Sequence, residues 1–164
     1  MVEHEIIVGL VVECLAPSNP WGEHIWLPVQ ILESVPDTPA WAVLGRGPDR
    51  ARYYAGAFAV KLYSTGTAYY RDNLASERPC LWVGMRPQGD QPPLEILAVT
   101  ADPTEGEGMT ETGTNVVEVI EMPLALVEEI AAFIEAHHVE RPFEKRKRDK
   151  RPPDMMGRRK PIDE

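Results

Sequence analysis

The sequence predicts a mainly β protein of the α+β class. We expect an antiparallel sandwich or barrel of about seven or eight strands, one C-terminal amphipathic helix and a disordered basic tail. Three observations predict this fold. Short apolar segments rich in β-branched residues recur between turn residues ahead of Pro123. The 16 prolines among 164 residues favour short segments joined by turns. Helical periodicity is confined to the segment after Pro123, without the βαβ alternation of a doubly wound sheet.

The first predicted strand is "EIIVGLVVEC", residues 5–14, in which apolar residues occupy both faces, as in a central strand. A loop rich in turn residues, "LAPSNPWGEH", follows it. The next strand, "HIWLPVQILES", alternates between two faces. Because Pro28 cannot donate a ladder hydrogen bond, we predict that this strand lies at an edge or contains a bulge.

A short strand at residues 41–44 and a longer one, "RYYAGAFAVKLYST", come next. The small Gly and Ala residues of the longer strand predict a close backbone approach or a bulge. After a turn at residues 64–67, we expect "GTAYYRDNL" to pair back as a hairpin strand. Two further strands, "PCLWVGMRP" and "LEILAVTAD", are joined by the polar loop "QGDQPP".

The acidic, glycine-rich stretch "PTEGEGMTETGTN" is predicted to be an exposed loop with at most a short helical turn, and "VVEVIEM" to be the last strand. Pro123 suits the first position of a helix over about residues 123–138. Its apolar side recurs at helical spacing: Leu126, Val127, Ile130, Phe133, Ile134 and His137. We therefore predict an acidic β domain with a C-terminal helix over residues 1–141, and a flexible basic tail over 142–164.

Charge differs sharply between these two parts. To Arg141 the chain has 8 Lys and Arg against 21 Asp and Glu, a net charge of −13, and from Pro142 it has 9 against 5, a net charge of +4. A body this acidic repels phosphates, so we expect no nucleic-acid binding. The apolar run from Ile6 to Val12 is too short to span a membrane and lacks a basic flank, so we expect a cytoplasmic protein.

No catalytic or metal motif stands out. The four His and two Cys lack ligand spacing, no Ser lies in a G-x-S-x-G context, and the glycines of "GEGMTETG" are flanked by glutamates that would repel phosphate. Cys14 and Cys80 are too few for a disulfide framework and lie in or beside apolar runs, where small buried residues are expected; whether they pair stays open. An acid–base pair of Glu23 and His24 is disfavoured, because neighbouring side chains on a strand point to opposite faces.

Two segments indicate a protein contact. In "SNPWGEHIW", Trp21 and Trp26 bracket Glu23 and His24; exposed rings would form a recognition surface, whereas buried rings would belong to the core. In the tail, Phe143 precedes "EKRKRDKR", an arrangement typical of a segment that docks a ring into a pocket while its basic side chains meet an acidic surface. A solubilising tail that screens the acidic body is the alternative.

The sequence resembles a family of short, uncharacterised bacterial proteins common in proteobacteria. The residues that carry the resemblance span about 6–148 as scattered short matches. They are Val12-Glu13, Asn19-Pro20-Trp21, His24, Trp26, Trp41, Arg52-Tyr53, Ala55-Gly56, Tyr70, Asn73-Leu74, Met122-Pro123, His137-His138-Val139, Pro142-Phe143 and Lys145 to Arg148. The genes of this family often lie beside those for molybdenum-dependent formate dehydrogenase, and some members are labelled molybdopterin-guanine dinucleotide biosynthesis protein. The resemblance therefore implies an accessory role in assembly or cofactor supply, without an active site.

We therefore predict a non-enzymatic accessory protein that binds a partner with an acidic surface, formate dehydrogenase or one of its maturation factors, without catalytic residues, metal or cofactor. The residues predicted to contact the partner are Trp21, Glu23, His24, Trp26, His137, His138, Phe143, Lys145, Arg146, Lys147 and Arg148. The alternative is a β-barrel that binds a molybdopterin-type cofactor or its precursor. Its candidate pocket residues are Arg52, Tyr53, Tyr70 and Arg71.

Overall fold

The structure, a computed structural model, describes residues 1–89 and 92–139. Within these ranges seven strands form two antiparallel sheets. The four-stranded sheet, ordered β2-β1-β4-β3, consists of β1 (Glu3–Leu15), β2 (Ile25–Leu32), β3 (Ala42–Arg46) and β4 (Arg50–Tyr63). The three-stranded sheet, ordered β6-β5-β7, consists of β5 (Cys80–Pro87), β6 (Leu94–Thr100) and β7 (Val116–Glu121). The helices are α1 (Thr67–Ala75), α2 (Pro103–Gly108) and α3 (Leu124–His137), with 3₁₀ turns at Ser64–Gly66 and Met109–Glu111.

Both sheets and α3 share one hydrophobic core, which makes the fold sandwich-like. Leu10 of β1, Leu62 of β4, Leu81 of β5 and Ile130 of α3 are fully buried members of this core. The two sheets stay separate in the described part of the chain, so they do not close into a barrel. The mainly β, α+β prediction is confirmed at this level, and the sandwich is the form found.

The central strand and the irregularities of its neighbours follow the sequence predictions. Every residue from Val8 to Cys14 is buried, as expected for a strand covered on both faces. β2 lies at the edge of its sheet, and the register shifts where Pro28 pairs with Val12, so this strand has both features that its proline predicted. β4 bulges against β1 beside Gly56, whose φ of 125° is rarely adopted by other residues.

The prediction of a hairpin strand at "GTAYYRDNL" is wrong, because these residues form α1, and the chain has more than one helix. The buried residues of α1 are Thr67, Tyr70 and Asn73, which recur at helical spacing, and each of them has a hydrogen-bonding group. The Tyr70 hydroxyl accepts a hydrogen bond from the Tyr63 N–H at 3.0 Å. Hydrogen bonds therefore hold much of this helix in place, and a pattern of apolar residues does not detect such a helix.

The acidic loop after β6 contains more helix than predicted. Asp102 caps α2 by accepting hydrogen bonds from the N–H groups of Thr104 and Glu105, and Pro103 occupies the first turn. By contrast, α3 is present as predicted, with Pro123 as its N-cap residue rather than its first helical residue. It buries Leu126, Ile130, Phe133 and Ile134. The predicted basic tail, residues 142–164, lies outside the described residues.

Asn73 connects α1 to one end of the three-stranded sheet, at the start of β5 and just after β6. Its Nδ2 donates to the Cys80 carbonyl at 2.8 Å and to the Ala101 carbonyl at 3.0 Å, and its Oδ1 accepts from the Cys80 N–H at 3.1 Å. Because Asn73 is buried, Asn73→Ala leaves these backbone groups without that partner. We expect the free energy of unfolding in urea to fall by about 2–4 kcal/mol. Asp72→Ala, an exposed change in the same helix, serves as control and should stay within about 0.5 kcal/mol of the wild type; equal effects of the two would contradict this role.

Candidate functional site

One end of the four-stranded sheet extends past the three-stranded sheet. It holds the end of β1, the start of β2, all of β3 and the start of β4. The loop between β1 and β2 meets the turn between β3 and β4 there, because the Ala16 N–H donates to the Asp49 carbonyl at 2.8 Å. The two sheets contact each other elsewhere, through the second half of β4 against β6 and through β2 against β7.

Exposed apolar side chains gather at this end, which we call the apolar end. The exposed fractions are 90% for Trp21, 56% for Ile25, 44% for Val43 and 51% for Leu44. Trp21 lies in the loop after β1, Ile25 begins β2, and the other two lie on the edge strand β3. Ile25 and the β3 residues lie on the two opposite edge strands, so they occupy the two edges of this end rather than one strand. Exposed large apolar residues that a partner can cover are typical of protein-interaction sites.

Half-buried aromatic rings support this end from the inner face of the sheet. Trp26, Trp41 and Tyr53 form a triangle with ring centroids 5.8–6.1 Å apart. Trp41 has a φ of 70°, which is uncommon for a bulky residue, and its N–H donates to the Tyr54 carbonyl. The two tryptophans of "SNPWGEHIW" thus divide: Trp21 is exposed and Trp26 packs in the cluster. Glu23 and His24 between them are both exposed.

A buried carboxylate with two arginines occupies the same end. Glu13 Oε2 lies 3.0 Å from Arg52 Nε, and Glu13 Oε1 lies 3.1 Å from Arg50 Nη1. The pairing follows from the register, which sets Glu13 of β1 directly opposite Arg52 of β4. Arg52, predicted as a pocket residue, is thus an ion-pair partner, and Tyr53 belongs to the aromatic cluster.

The other two predicted pocket residues lie near the opposite end of β4. Arg52 lies near the start of β4, and α1, which contains Tyr70 and Arg71, follows the end of that strand. About 30 Å or more along the strand therefore separates Arg52 from these two residues. Tyr70 is buried in the core, and this burial raises the pKa of its hydroxyl. The four predicted pocket residues therefore do not form one pocket.

Arg71 instead lines an open cleft of about 770 Å³ between the start of α1 and the end of α3. His137 and His138, predicted as partner contacts, line the same cleft together with Ser64, Thr65 and Tyr69. His138 Nδ1 lies 2.8 Å from Thr67 Oγ1. Its Nε2 is buried and has no hydrogen-bond partner in the part of the chain that the structure describes. The residues predicted as partner contacts thus lie in two places, and Phe143 and residues 145–148 lie outside the described residues.

Three further clefts lie between β4 and β6, between β2 and β7, and beside His4 and Phe133. Neither Arg52 nor His24 lines any of these four clefts. The surface around Arg52 and His24 thus lies outside these four clefts, and what it offers a partner is exposed aromatic, aliphatic and charged side chains.

Neither cysteine is part of a disulfide, and burial raises the pKa of both thiols, Cys14 and Cys80. Fewer thiolates are therefore present at neutral pH than on a free cysteine, which disfavours a nucleophilic role. Within residues 1–89 and 92–139 no group of three or more His, Cys, Asp or Glu side chains is placed to hold a metal. No helix in these ranges is long and apolar enough to cross a bilayer.

Sequence reasoning missed the Glu13–Arg50–Arg52 group and the exposed residues of β3. A signal for the first was present, since a glutamate between Val12 and Cys14 in a strand covered on both faces needs a cation. The identity of that cation depends on a strand pairing that joins residues 39 positions apart. Val43 and Leu44 are apolar, so the sequence favours their burial. Both are exposed in the structure, on the edge strand β3, and no local sequence signal identifies β3 as an edge.

The fold and this surface define a sandwich-like α+β protein with an exposed apolar end. A family model described as "Protein of unknown function (DUF3305)" matches residues 7–147, and the chain belongs to this family. No curated protein and no solved structure matches the chain. The expectation of an uncharacterised family is thus confirmed, while its link to formate dehydrogenase stays a prediction.

Proposed function

We propose that the protein is a non-enzymatic accessory protein that binds another protein through the apolar end of its four-stranded sheet. The observation that carries the proposal is the exposure of Trp21, together with Ile25 and Leu44, on an end stiffened by packed aromatic rings. Tryptophan, with tyrosine and arginine, is enriched among the residues that contribute most binding energy at protein interfaces. Because the Trp21 ring is 90% exposed, its apolar surface is removed from water only when a partner covers it, and this burial favours binding.

The proposed partner is a molybdenum-dependent formate dehydrogenase or one of its maturation factors, in the cytoplasm. This part of the proposal rests on the resemblance of the sequence to a family encoded beside those enzymes. A second contact is proposed for the tail, with Phe143 as anchor and residues 145–148 as the basic cluster. Basic side chains there would steer an acidic partner, and this steering weakens with salt.

A second candidate function is binding of a small anionic molecule such as a molybdopterin-type cofactor or its precursor. The observation that favours it is the cleft lined by Arg71, His137 and His138, which is large enough for a ligand of that size. Its lining hydroxyls and imidazoles can hydrogen-bond phosphate or pterin groups. Of the predicted pocket residues, this cleft retains Arg71 only.

Variants of the apolar end test the leading proposal. We expect Trp21→Ala and Leu44→Ala each to lower co-purification of formate dehydrogenase or its maturation factors from the native host by about tenfold or more, as for truncation of a central interface residue. Leu124→Ala is the matched control, since Leu124 is also an exposed leucine but begins α3. Quantitative mass spectrometry of the captured proteins gives the readout. Equal recovery with Leu44→Ala and with Leu124→Ala would overturn the proposed surface.

Removal of residues 142–164 tests the tail separately. If the tail steers an acidic partner, the truncated chain should associate more slowly at low salt, and the difference should shrink as salt rises. Association rates measured by surface plasmon resonance with the captured partner give this comparison. A truncated chain with unchanged partners and unchanged rates would remove the tail from the proposal.

The small-molecule alternative makes a spectroscopic prediction. Protein purified from the native host should carry a fluorescent or absorbing pterin that is lost in Arg71→Ala, because the anionic group loses its cation. Arg78→Ala, another exposed arginine, should retain it. Protein that binds neither a host pterin nor added molybdopterin would remove this candidate.

A further inference from the structure

The group of Glu13, Arg50 and Arg52 has more positive charge than its structural role requires. Glu13 has a side chain only 7% exposed, whereas those of Arg50 and Arg52 are 62% and 53% exposed. One well-placed guanidinium suffices to compensate one buried carboxylate. With two, the group has a net charge of +1, and that excess faces solvent.

Most donors of the two guanidiniums remain available. Each arginine has five N–H donors, and each contacts Glu13 through a single nitrogen. Among the residues that the structure describes, Glu13 is the one carboxylate within ion-pair distance of either arginine. The buried glutamate therefore orients both guanidiniums and leaves donors free to bind a second anion in the bidentate manner that suits carboxylates.

The spacing of the two arginines fits an extended chain. Arg50 and Arg52 lie two positions apart on β4, so their side chains share one face of the sheet at about 7 Å along the strand. An extended peptide presents alternate side chains at the same interval. Space exists beside Arg52, because its register partner Gly45 has nothing within 4 Å of the place that a Cβ would occupy.

Apolar residues lie on the same face. In the register, Glu13 is opposite Leu27 and Leu15 is opposite Ile25, so the two arginines are flanked across β1 by aliphatic side chains of β2. Ile25 is more than half exposed and Leu27 is half-buried. A segment that runs along the strands over this face would meet cations from β4 on one side and aliphatic carbon from β1 and β2 on the other.

We propose that Arg50 and Arg52, oriented by Glu13, bind an acidic, extended segment of a partner protein in which carboxylates alternate with apolar side chains. This inference rests on the proposed function and names the chemistry of the partner at the apolar end. A protein segment is favoured over a nucleic acid because the chain carries a net charge of −13 to Arg141, which repels a phosphate backbone at long range but opposes a short peptide far less.

The test uses the purified full-length chain and a fluorescent peptide of alternating Glu and Leu, with binding followed by anisotropy at physiological salt. We expect Arg50→Ala and Arg52→Ala each to weaken peptide binding about tenfold or more. The double variant Arg50→Lys with Arg52→Lys should weaken binding about several-fold, because lysine keeps the charge but lacks the planar pair of N–H donors of a guanidinium. Arg78→Ala is the control and should bind as the wild type does. The basic tail contributes equally to every variant, so differences among variants report the arginine pair.

Two probe comparisons complete the experiment. The same peptide with Gln in place of Glu should bind at least about tenfold more weakly, because its charge-assisted hydrogen bonds are lost. A single-stranded oligonucleotide of equal length should not show the dependence on Arg50 and Arg52. Equal binding by Arg50→Ala and Arg78→Ala, or a dependence on the pair for the oligonucleotide but not for the peptide, would overturn the inference.

The positioning role of Glu13 has its own variant. Glu13→Gln keeps the shape of the side chain and removes its charge, so we expect weaker peptide binding although the protein gains positive charge. Its melting temperature shows whether it is folded; if it is not, the Arg50→Ala comparison alone decides. Partner capture that is lost in Leu44→Ala but unchanged in Arg52→Ala would count against the arginine pair as part of the partner site. Unchanged capture in Leu44→Ala would count against the proposed surface itself.

Discussion

Burial of the Glu13 carboxylate in the central strand constrains how the four-stranded sheet can be paired. A buried charge without a partner is strongly destabilising, so β4 must supply a cation directly across from it. The register sets Arg52 there and Arg50 opposite Leu15 on the same face. Because side chains alternate between faces, a slip of one residue would carry both arginines to the other face and leave Glu13 unpaired. The same ion pairs therefore fix the register of the longest strand pair and build the charged part of the candidate surface.

The apolar end follows from the unequal size of the two sheets. The three-stranded sheet and α3 cover the half of the large sheet that contains Val8, Leu10, Val60 and Leu62, and these residues are almost fully buried. The remaining half has to limit its own exposure with local packing, which the triangle of Trp26, Trp41 and Tyr53 achieves only in part. The bulge of β3 against β4 interrupts the edge ladder there, an arrangement that opposes unspecific strand pairing. An end that is stiff, apolar and protected at its edge suits a specific partner.

The elements that the sequence predicted well are those whose burial is apolar. Hydrophobic pattern, proline or glycine predicts four of them: β1, the irregular edge strand β2, the bulged β4 and α3. The sequence did not predict α1, because its buried side consists of Thr67, Tyr70 and Asn73, whose polar groups form hydrogen bonds with neighbouring elements. The candidate site was predictable only in part. Trp21 was predicted to contact a partner and is exposed, whereas Arg52 was assigned to a pocket, because no local signal reveals that Glu13 is its partner.

The separation of the two candidate sites bears on how the two proposed functions relate. The apolar end lies where β4 begins, and the cleft of Arg71, His137 and His138 lies beyond the point where β4 ends. A partner on the first and a small ligand in the second would therefore not compete for space. α3 also ends at this cleft, with His137 and His138 on its wall. Val139, the last described residue, also lines this cleft, far from the apolar end. A partner bound at the apolar end thus leaves the cleft free, so variants of the apolar end and Arg71→Ala should affect separate binding events.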